Sequence, residues 1–284
     1  MEKLSLFAFS MLLTTSLWAA CLGSLATYKI VDPIDSSEWK FTANVYLPET
    51  AQNKLHPVVF VLPTIVGQTV LEKKVATKIC RNGMGAYVLN LVKEIPFEEQ
   101  VQNLNIHDDL YVRALASLRH VISELKLDPK VSGEYGIVGA SQGAMISTYL
   151  AGSEPLIKTS VLIAGAGNVP GVLAYSDQKF IQSQRESRME ARGIKTQEEY
   201  QKLLADKVPN DPISVAHQIK PGTAFVFVAL KDTTVPVKFQ KELLARIPEP
   251  KVMELKAAHV PAIIKATTLH GDKIIEFLRG QFNL

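Results

Sequence analysis

The sequence has 284 residues, of which 47% are hydrophobic, 21% are charged and 7% are aromatic. That much apolar chain can bury a sizeable core, which excludes a tail or a disordered linker. The formal charge of +3 comes without a basic cluster and argues against nucleic-acid binding, and two cysteines exclude a disulfide-stapled mini-fold or a cysteine-rich zinc site.

The first segment resembles an export signal. Residues 4–20 form an uncharged, apolar run behind Lys3 and end in small residues, which is the pattern of a signal peptide. A membrane anchor is the competing interpretation, but a spanning helix needs about 20 apolar residues and this run is shorter. We therefore predict a signal peptide over residues 1–20 and an exported protein, either periplasmic or secreted.

The signal-like segment ends in Leu-Trp-Ala-Ala-Cys, which resembles a bacterial lipobox. In that case Cys21 is lipidated and anchors the protein to a membrane; ordinary cleavage near Cys21 or Ala26 is the alternative. With Cys21 lipidated or removed, Cys80 remains alone, and we expect it to be a buried free thiol.

Apolar runs and helical patterns alternate along the remaining chain, which predicts one α/β domain over residues 27–284. We expect a mostly parallel sheet with helices on both faces, and a functional site beyond the carboxyl ends of its strands. Strands are predicted at 41–47, 57–62, 86–92, 135–139, 159–164, 223–230 and 251–255. Helices are predicted from about 68 to 81, from 108 to 125, from 142 to 150 and from 268 to 279.

Residues 168–219 contain more chain than one crossover needs, and we predict that they form a small helical cap over the sheet. A helix is expected over 177–192, and the capping box that begins at Thr196 opens a second. Asp211 and Pro212 provide an N-cap and a first-turn proline for a third. The cap is the predicted substrate-binding segment, and a solvated helical decoration is the competing interpretation.

The string Gly-Ala-Ser-Gln-Gly at 139–143 lies between a predicted strand and a predicted helix. A G-x-S-x-G string in that context is typical of a nucleophile elbow, where the serine occupies a sharp turn at the N-terminus of a helix. Ser141 is therefore the candidate nucleophile.

A serine hydroxyl needs a base, and the base needs an acid that orients it. Asp232 follows the apolar strand at 223–230, and His259 follows the short strand at 251–255. The order Ser141, Asp232 and His259, each at a strand end, predicts a catalytic triad with His259 in the loop after the last strand.

Other residues compete for these roles. Asp108 or Asp109 is an alternative acid, although their position at a helix start favours N-capping. Among the other histidines, His270 is the main rival as the base, because it also lies downstream of Asp232, but it falls in the predicted final helix. The remaining four are expected to be structural or surface residues: His56, His107, His120 and His217.

From about residue 40 onward the chain resembles the α/β-hydrolase superfamily, through GASQG at 139–143, LKDTTVP at 230–236 and AAHVP at 257–261. It is most similar to the dienelactone-hydrolase-like and acetyl-esterase-like group. The resemblance implies an oxyanion hole made by the backbone N–H groups of Ile65 and Gln142, with Thr64 as an alternative to Ile65. Ser141 stands where true dienelactone hydrolases have cysteine, so dienelactone is not the expected substrate.

These patterns predict an exported serine esterase that acts on a small-molecule ester, binds no nucleic acid and needs no metal or other cofactor. The same triad also cleaves thioesters and amides, so a peptidase of short peptides is the second prediction. A protein that keeps the fold but binds without turnover is the non-enzymatic alternative.

Overall fold

The structure, a computed structural model, describes residues 21–48, 55–91 and 95–284. The predicted signal peptide at 1–20 lies outside the described residues. The strands are β1 (Ser24–Val31), β2 (Glu38–Tyr46), β3 (His56–Leu62), β4 (Gly85–Asn90), β5 (Val131–Ala140), β6 (Ile157–Ile163), β7 (Ala224–Ala229) and β8 (Lys251–Leu255).

The described helices, α1 to α11, lie after β3 in the chain, and none of them is long and apolar enough to cross a membrane. In chain order they are Val70–Arg81, Phe97–Gln102, Ile106–Leu125, Gln142–Ser153, Val169–Tyr175, Lys179–Glu190, Gln197–Ala205, Pro212–Val215, Val237–Leu244, His259–Thr268 and Gly271–Phe282. A short 3-10 turn, Ala216–Gln218, follows α8.

The eight described strands form one sheet in the order β1-β2-β4-β3-β5-β6-β7-β8. β2 is antiparallel to both of its neighbours, and all other pairs are parallel. Every residue of β3 and β7 is buried, because helices cover both faces of the sheet at these strands. The predicted α/β fold with a mostly parallel sheet is confirmed.

The sheet begins at Ser24, ahead of the predicted domain start at residue 27. β1 was not predicted, because an edge strand with one neighbour exposes most of its side chains and carries a weak apolar signal. It pairs along its whole length with β2.

A disulfide joins Cys21 to Cys80, the penultimate residue of α1. The prediction of a free thiol at Cys80 is therefore wrong, and the disulfide argues against a lipid anchor on Cys21. A sulfur atom that is bonded in a disulfide has no valence left for the thioether that a lipid anchor requires. The bond ties the residues before β1 to a helix that packs on the centre of the sheet.

Helices α5 to α8 occupy residues 169–215, within the segment predicted as a cap. The capping box at Thr196 and the N-cap at Asp211 are confirmed, and the helix expected over 177–192 is α6.

The cap also includes α2, which the sequence did not predict. Arg188 of α6 is fully buried, and its Nε and Nη2 atoms donate to the carbonyl oxygens of Gln100 and Asn103 at distances of 3.0 and 3.2 Å. Gln184 donates from its Nε2 to Gln100 Oε1 at 2.9 Å, and the rings of Phe97 and Phe180 meet edge to face. Two separate stretches of chain thus form one helical layer.

Candidate active site

Ser141 occupies a strained turn between β5 and α4. Its backbone has φ 55° and ψ −124°, a region that side chains other than glycine rarely adopt. The turn is held because Ser141 N donates to Ile163 O of β6 at 2.9 Å, and Ser141 O accepts from Ala144 N and Met145 N. The strain therefore persists, and Ser141 Oγ is presented beyond the end of the sheet.

The glycines on either side of Ser141 allow the backbone to pack closely. A Cβ atom on Gly139 would lie 2.1 Å from Gly143 O, and one on Gly143 would lie 2.2 Å from Leu62 O. Real Cβ atoms do not come that close, so only glycine fits at both positions. The end of β3 is thereby brought against the start of α4.

The structure brings Ser141, His259 and Asp232 together. His259 Nε2 lies 2.8 Å from Ser141 Oγ, and His259 Nδ1 lies 2.6 Å from Asp232 Oδ2. Both distances are within hydrogen-bond reach, the geometry that a nucleophile, a base and an orienting acid require. His259 is the first residue of α10 and not a loop residue as predicted.

Asp232 is held in place by a residue that the sequence did not indicate. Asp232 is 3% exposed as a residue, and its carboxylate accepts from Val235 N at 2.9 Å and from Gln240 Nε2 at 2.8 Å. Gln240, on α9, also donates to Val235 O and accepts from Ala229 N at the end of β7. Hydrogen bonds of Gln240 therefore connect Asp232 to the end of β7 and to α9.

We expect the substitution Gln240→Met to lower the kcat/KM for the ester hydrolysis predicted from the sequence by about 10- to 100-fold, mainly through kcat. A lost hydrogen bond to a charged group is worth about 1.5–3 kcal/mol, and Asp232 would then hold His259 less firmly. Steady-state kinetics measure the effect, and Lys241→Met on the exposed side of the same helix is the control. A change confined to KM would contradict this role.

Ser141 and His259 line a cavity of about 700 Å³. The volume lies within the range of small-molecule sites, and the walls are mainly apolar. The cap contributes Val169, Val172, Leu173, Gln178, Phe180, Ile181 and Gln184, and the stretch around α2 and the start of α3 contributes Leu91, Ile95, Gln100, Ile106, His107, Leu110, Tyr111 and Arg113.

The residues of the predicted oxyanion hole lie beside the same cavity. Gln142 is the first residue of α4, where a backbone N–H has no acceptor within the helix. Thr64 and Ile65 belong to the turn after β3, which is closed by a bond from Gly67 N to Thr64 O at 2.9 Å. All three line the cavity together with Ser141.

The rival residues have other surroundings. Asp108 accepts from the backbone and side chain of Asn210, and Asp109 accepts from Asn103 Nδ2. Neither caps α3, because the N-cap is Asn105. His270 precedes α11 and does not lie inside it. His56 begins β3, His120 is in α3 and His217 is in the 3-10 turn. Among the described residues, no group of three or more His, Cys, Asp or Glu side chains could hold a metal ion.

The sequence predicts that His107 is a structural or surface residue, and the structure places it in the wall of the cavity. Its Nε2 atom is buried and has no hydrogen-bond partner among the described residues. Burial lowers the pKa of the His107 imidazole to about 3, with a smaller contribution from the positive charge of Arg188. His107 is therefore neutral in the folded protein at neutral and mildly acidic pH.

We expect His107→Leu to weaken the acid destabilisation of the protein. Between pH 6.5 and 3 the unfolded chain binds a proton at His107 that the folded protein does not, so acidification lowers the free energy of unfolding, by at most about 1.4 kcal/mol per pH unit. Urea unfolding at pH 7 and pH 5 should show a drop about 2 kcal/mol smaller in the variant. His120→Leu on the same helix is the control, and an equal drop in His107→Leu and wild type would contradict the expectation.

The sheet combines its strand order with one strand, β2, that is antiparallel to both of its neighbours, and a serine elbow follows β5. Together these features define a class of proteins. The protein has the α/β-hydrolase fold, as its sequence motifs implied.

Residues 119–248, less than half of the chain, match the family model described as BAAT / acyl-CoA thioester hydrolase C terminal. None of the curated proteins matches the sequence significantly. Among solved structures, an acetyl xylan esterase from Thermoanaerobacterium sp. superposes with a TM-score of 0.66 and 15% identity, over 92% of this chain and 88% of that one.

Two further structures have similar folds. An esterase of Pyrococcus furiosus has a TM-score of 0.59 and 16% identity, over 90% of this chain and 92% of that one. The acylaminoacyl peptidase of Pyrococcus horikoshii has a TM-score of 0.65 and 14% identity, over 92% of this chain, but this chain spans only 41% of that longer protein. The comparisons support a hydrolase and leave its nucleophile and its substrate open.

Proposed function

We propose that the protein is an exported serine hydrolase that cleaves carboxylic esters. The observation that carries this proposal is the chain of hydrogen bonds from Ser141 through His259 to Asp232 at the edge of an apolar cavity. In the proposed reaction Asp232 orients His259 and stabilises its positively charged form.

In the proposed reaction Ser141 Oγ attacks the ester carbonyl carbon while His259 Nε2 takes the hydroxyl proton. The tetrahedral intermediate collapses, the bond to the alcohol breaks, and His259 delivers the proton to the leaving oxygen. Water then attacks the acyl-enzyme with His259 again as the base, which releases the carboxylic acid and restores Ser141.

The negative oxygen of the intermediate would accept hydrogen bonds from the backbone N–H groups of Gln142 and of Ile65, or of Thr64 in the alternative register. Support comes from their position beside Ser141, where Gly143 allows the turn after β3 to approach the start of α4. Each such donor is worth about 3 kcal/mol of barrier.

Two observations support export. Residues 4–20 have the pattern of a signal peptide, and a disulfide between Cys21 and Cys80 is typical of oxidising compartments. Cleavage after Ala26 would remove Cys21 and the first residues of β1, so we propose that the signal peptide is cleaved before Cys21.

Thioester cleavage is the second candidate, favoured by the match of residues 119–248 to an acyl-CoA thioester hydrolase family model. The chemistry at Ser141 would be the same, with a thiol as the leaving group. Cleavage of short peptides, the alternative drawn from the sequence, has only a likeness of fold in its favour.

Labelling with a fluorophosphonate probe tests the proposal. We expect the wild-type protein to gain one covalent adduct that peptide mass mapping assigns to Ser141, and Ser141→Ala to gain none. A panel of matched ester, thioester and amide substrates then ranks the three reactions. Wild-type protein that neither labels nor hydrolyses any of them would leave the non-enzymatic binding protein as the interpretation.

A further inference from the structure

The opening of the catalytic cavity is surrounded by exposed apolar side chains. Val66 in the turn after β3, Phe180 at the start of α6 and Val260 at the start of α10 all line the cavity, and their exposed fractions are 75%, 40% and 59%. Ile264, one turn further along α10, is 43% exposed. Single exposed apolar residues are ordinary, but several around one opening mark an interaction site. We call these four residues the apolar rim.

Within four residues of the apolar rim in sequence, the exposed charged residues are three lysines and Asp177. Lys179 precedes Phe180, Lys265 follows Ile264, and Lys256 lies in the turn before α10; all three are exposed. Helix α10 contains no acidic residue. Asp177, the acid nearest to Phe180 in sequence, accepts hydrogen bonds from the hydroxyl groups of Thr233 and Thr234. The rim therefore combines apolar contacts with a complement for negative charge.

We propose that the apolar rim docks on an anionic lipid surface, from which a lipid ester enters the cavity. The cleavage step rests on the proposed function, but the docking does not. Exposed apolar residues flanked by lysines are typical of proteins that bind the membrane interface.

A lipid surface fits the rim better than a protein partner does. Four side chains cover far less than the roughly 1,000 Å² that a specific protein interface buries. The rim also continues directly into the cavity wall at Val66, Phe180 and Val260, so whatever docks there meets the opening through which the substrate enters.

Vesicle flotation tests the docking without turnover. Ser141→Ala protein is mixed with vesicles of phosphatidylcholine alone or of phosphatidylcholine with phosphatidylglycerol. We expect it to float with the phosphatidylglycerol vesicles and less so as salt rises. Two further substitutions are each added to Ser141→Ala, and Ile264→Ser or Phe180→Ser should lower the partition coefficient about fivefold to tenfold. Lys265→Glu should lower the partition coefficient for the anionic vesicles alone.

Leu127→Ser is the matched control. Leu127 is 84% exposed, and it lies in the turn before β5, at the end of the strands opposite to Ser141. We expect this substitution to leave the partition unchanged. An equal loss in Leu127→Ser and Ile264→Ser would overturn the proposal, because it would indicate nonspecific adhesion. No flotation with either kind of vesicle would also overturn it.

Hydrolysis separates failure of the docking from failure of the proposed function. With otherwise wild-type protein, Ile264→Ser should lower the rate on a long-chain p-nitrophenyl ester in anionic vesicles about fivefold more than the rate on dissolved p-nitrophenyl acetate. Flotation without hydrolysis of either ester would keep the docking and overturn the esterase. Hydrolysis of dissolved ester with no flotation would keep the esterase and overturn the docking. A concentration-dependent dimer that Ile264→Ser abolishes would also overturn the docking, because it would assign the rim to a second copy of the chain.

Discussion

Replacing Ser141 by alanine should reduce kcat for a short-chain ester by about 10⁶-fold. In the proposed mechanism the Ser141 Oγ atom, which lies 2.8 Å from His259 Nε2, is the group that forms the acyl-enzyme. His259→Ala should cost about as much, because the hydroxyl then has no base.

Residues that act as a unit do not contribute additively, so the double variant Ser141→Ala/His259→Ala should lose little more activity than Ser141→Ala alone. The substitution Asp232→Asn should cost about 10⁴-fold, since the imidazole would then be held in the wrong tautomer. Steady-state kinetics measure all four proteins, and unfolding curves check that each is folded. Substantial activity in folded Ser141→Ala would exclude Ser141 as the nucleophile.

Loss of the disulfide should give the largest change in stability. Cys21 and Cys80 are 59 residues apart, and opening a loop of this length lowers the free energy of unfolding by about 4 kcal/mol in the chain-entropy model. For a domain of this size we expect the Tm of Cys21→Ala to fall by roughly 8 °C.

Cys21→Ala is preferable to a change at Cys80, because Cys80 is almost fully buried and its replacement would also disturb the core. Peptide mapping without reductant should show the peptides that contain the two cysteines joined. Wild-type protein treated with dithiothreitol should approach the Tm of Cys21→Ala. If reductant lowers neither value and the two proteins melt together, the two sulfurs are not bonded.

The sequence predicted the elements whose signals are local. The elbow at Ser141 needs only a strand, a turn and a helix that are adjacent in the chain, and each neighbouring glycine is visible in the string itself. The sequence places Asp232 and His259 near Ser141 by similar local signals, because both follow short apolar strands, and a parallel sheet brings the ends of such strands to one edge.

The features that the sequence did not predict depend on contacts between distant segments. In the sequence nothing distinguishes Gln240 from other polar helix residues, and its contact with Asp232 depends on how α9 packs beside β7. Helix α2 is too short to show a periodic pattern, and β1 exposes too much polar surface. The lipidation expected at Cys21 rests on its immediate neighbours in the chain, whereas its disulfide partner, Cys80, lies 59 residues away on α1.

The hydrogen bonds of Arg188 have a consequence for exchanging caps between related enzymes. Because this buried guanidinium binds carbonyl groups that follow β4, the segment at 168–219 is not an independent module. A chimera that receives only that segment from a relative would leave the carbonyl groups of Gln100 and Asn103 without their donor. Transfer of a substrate preference would therefore require two exchanged stretches, one on each side of the serine elbow.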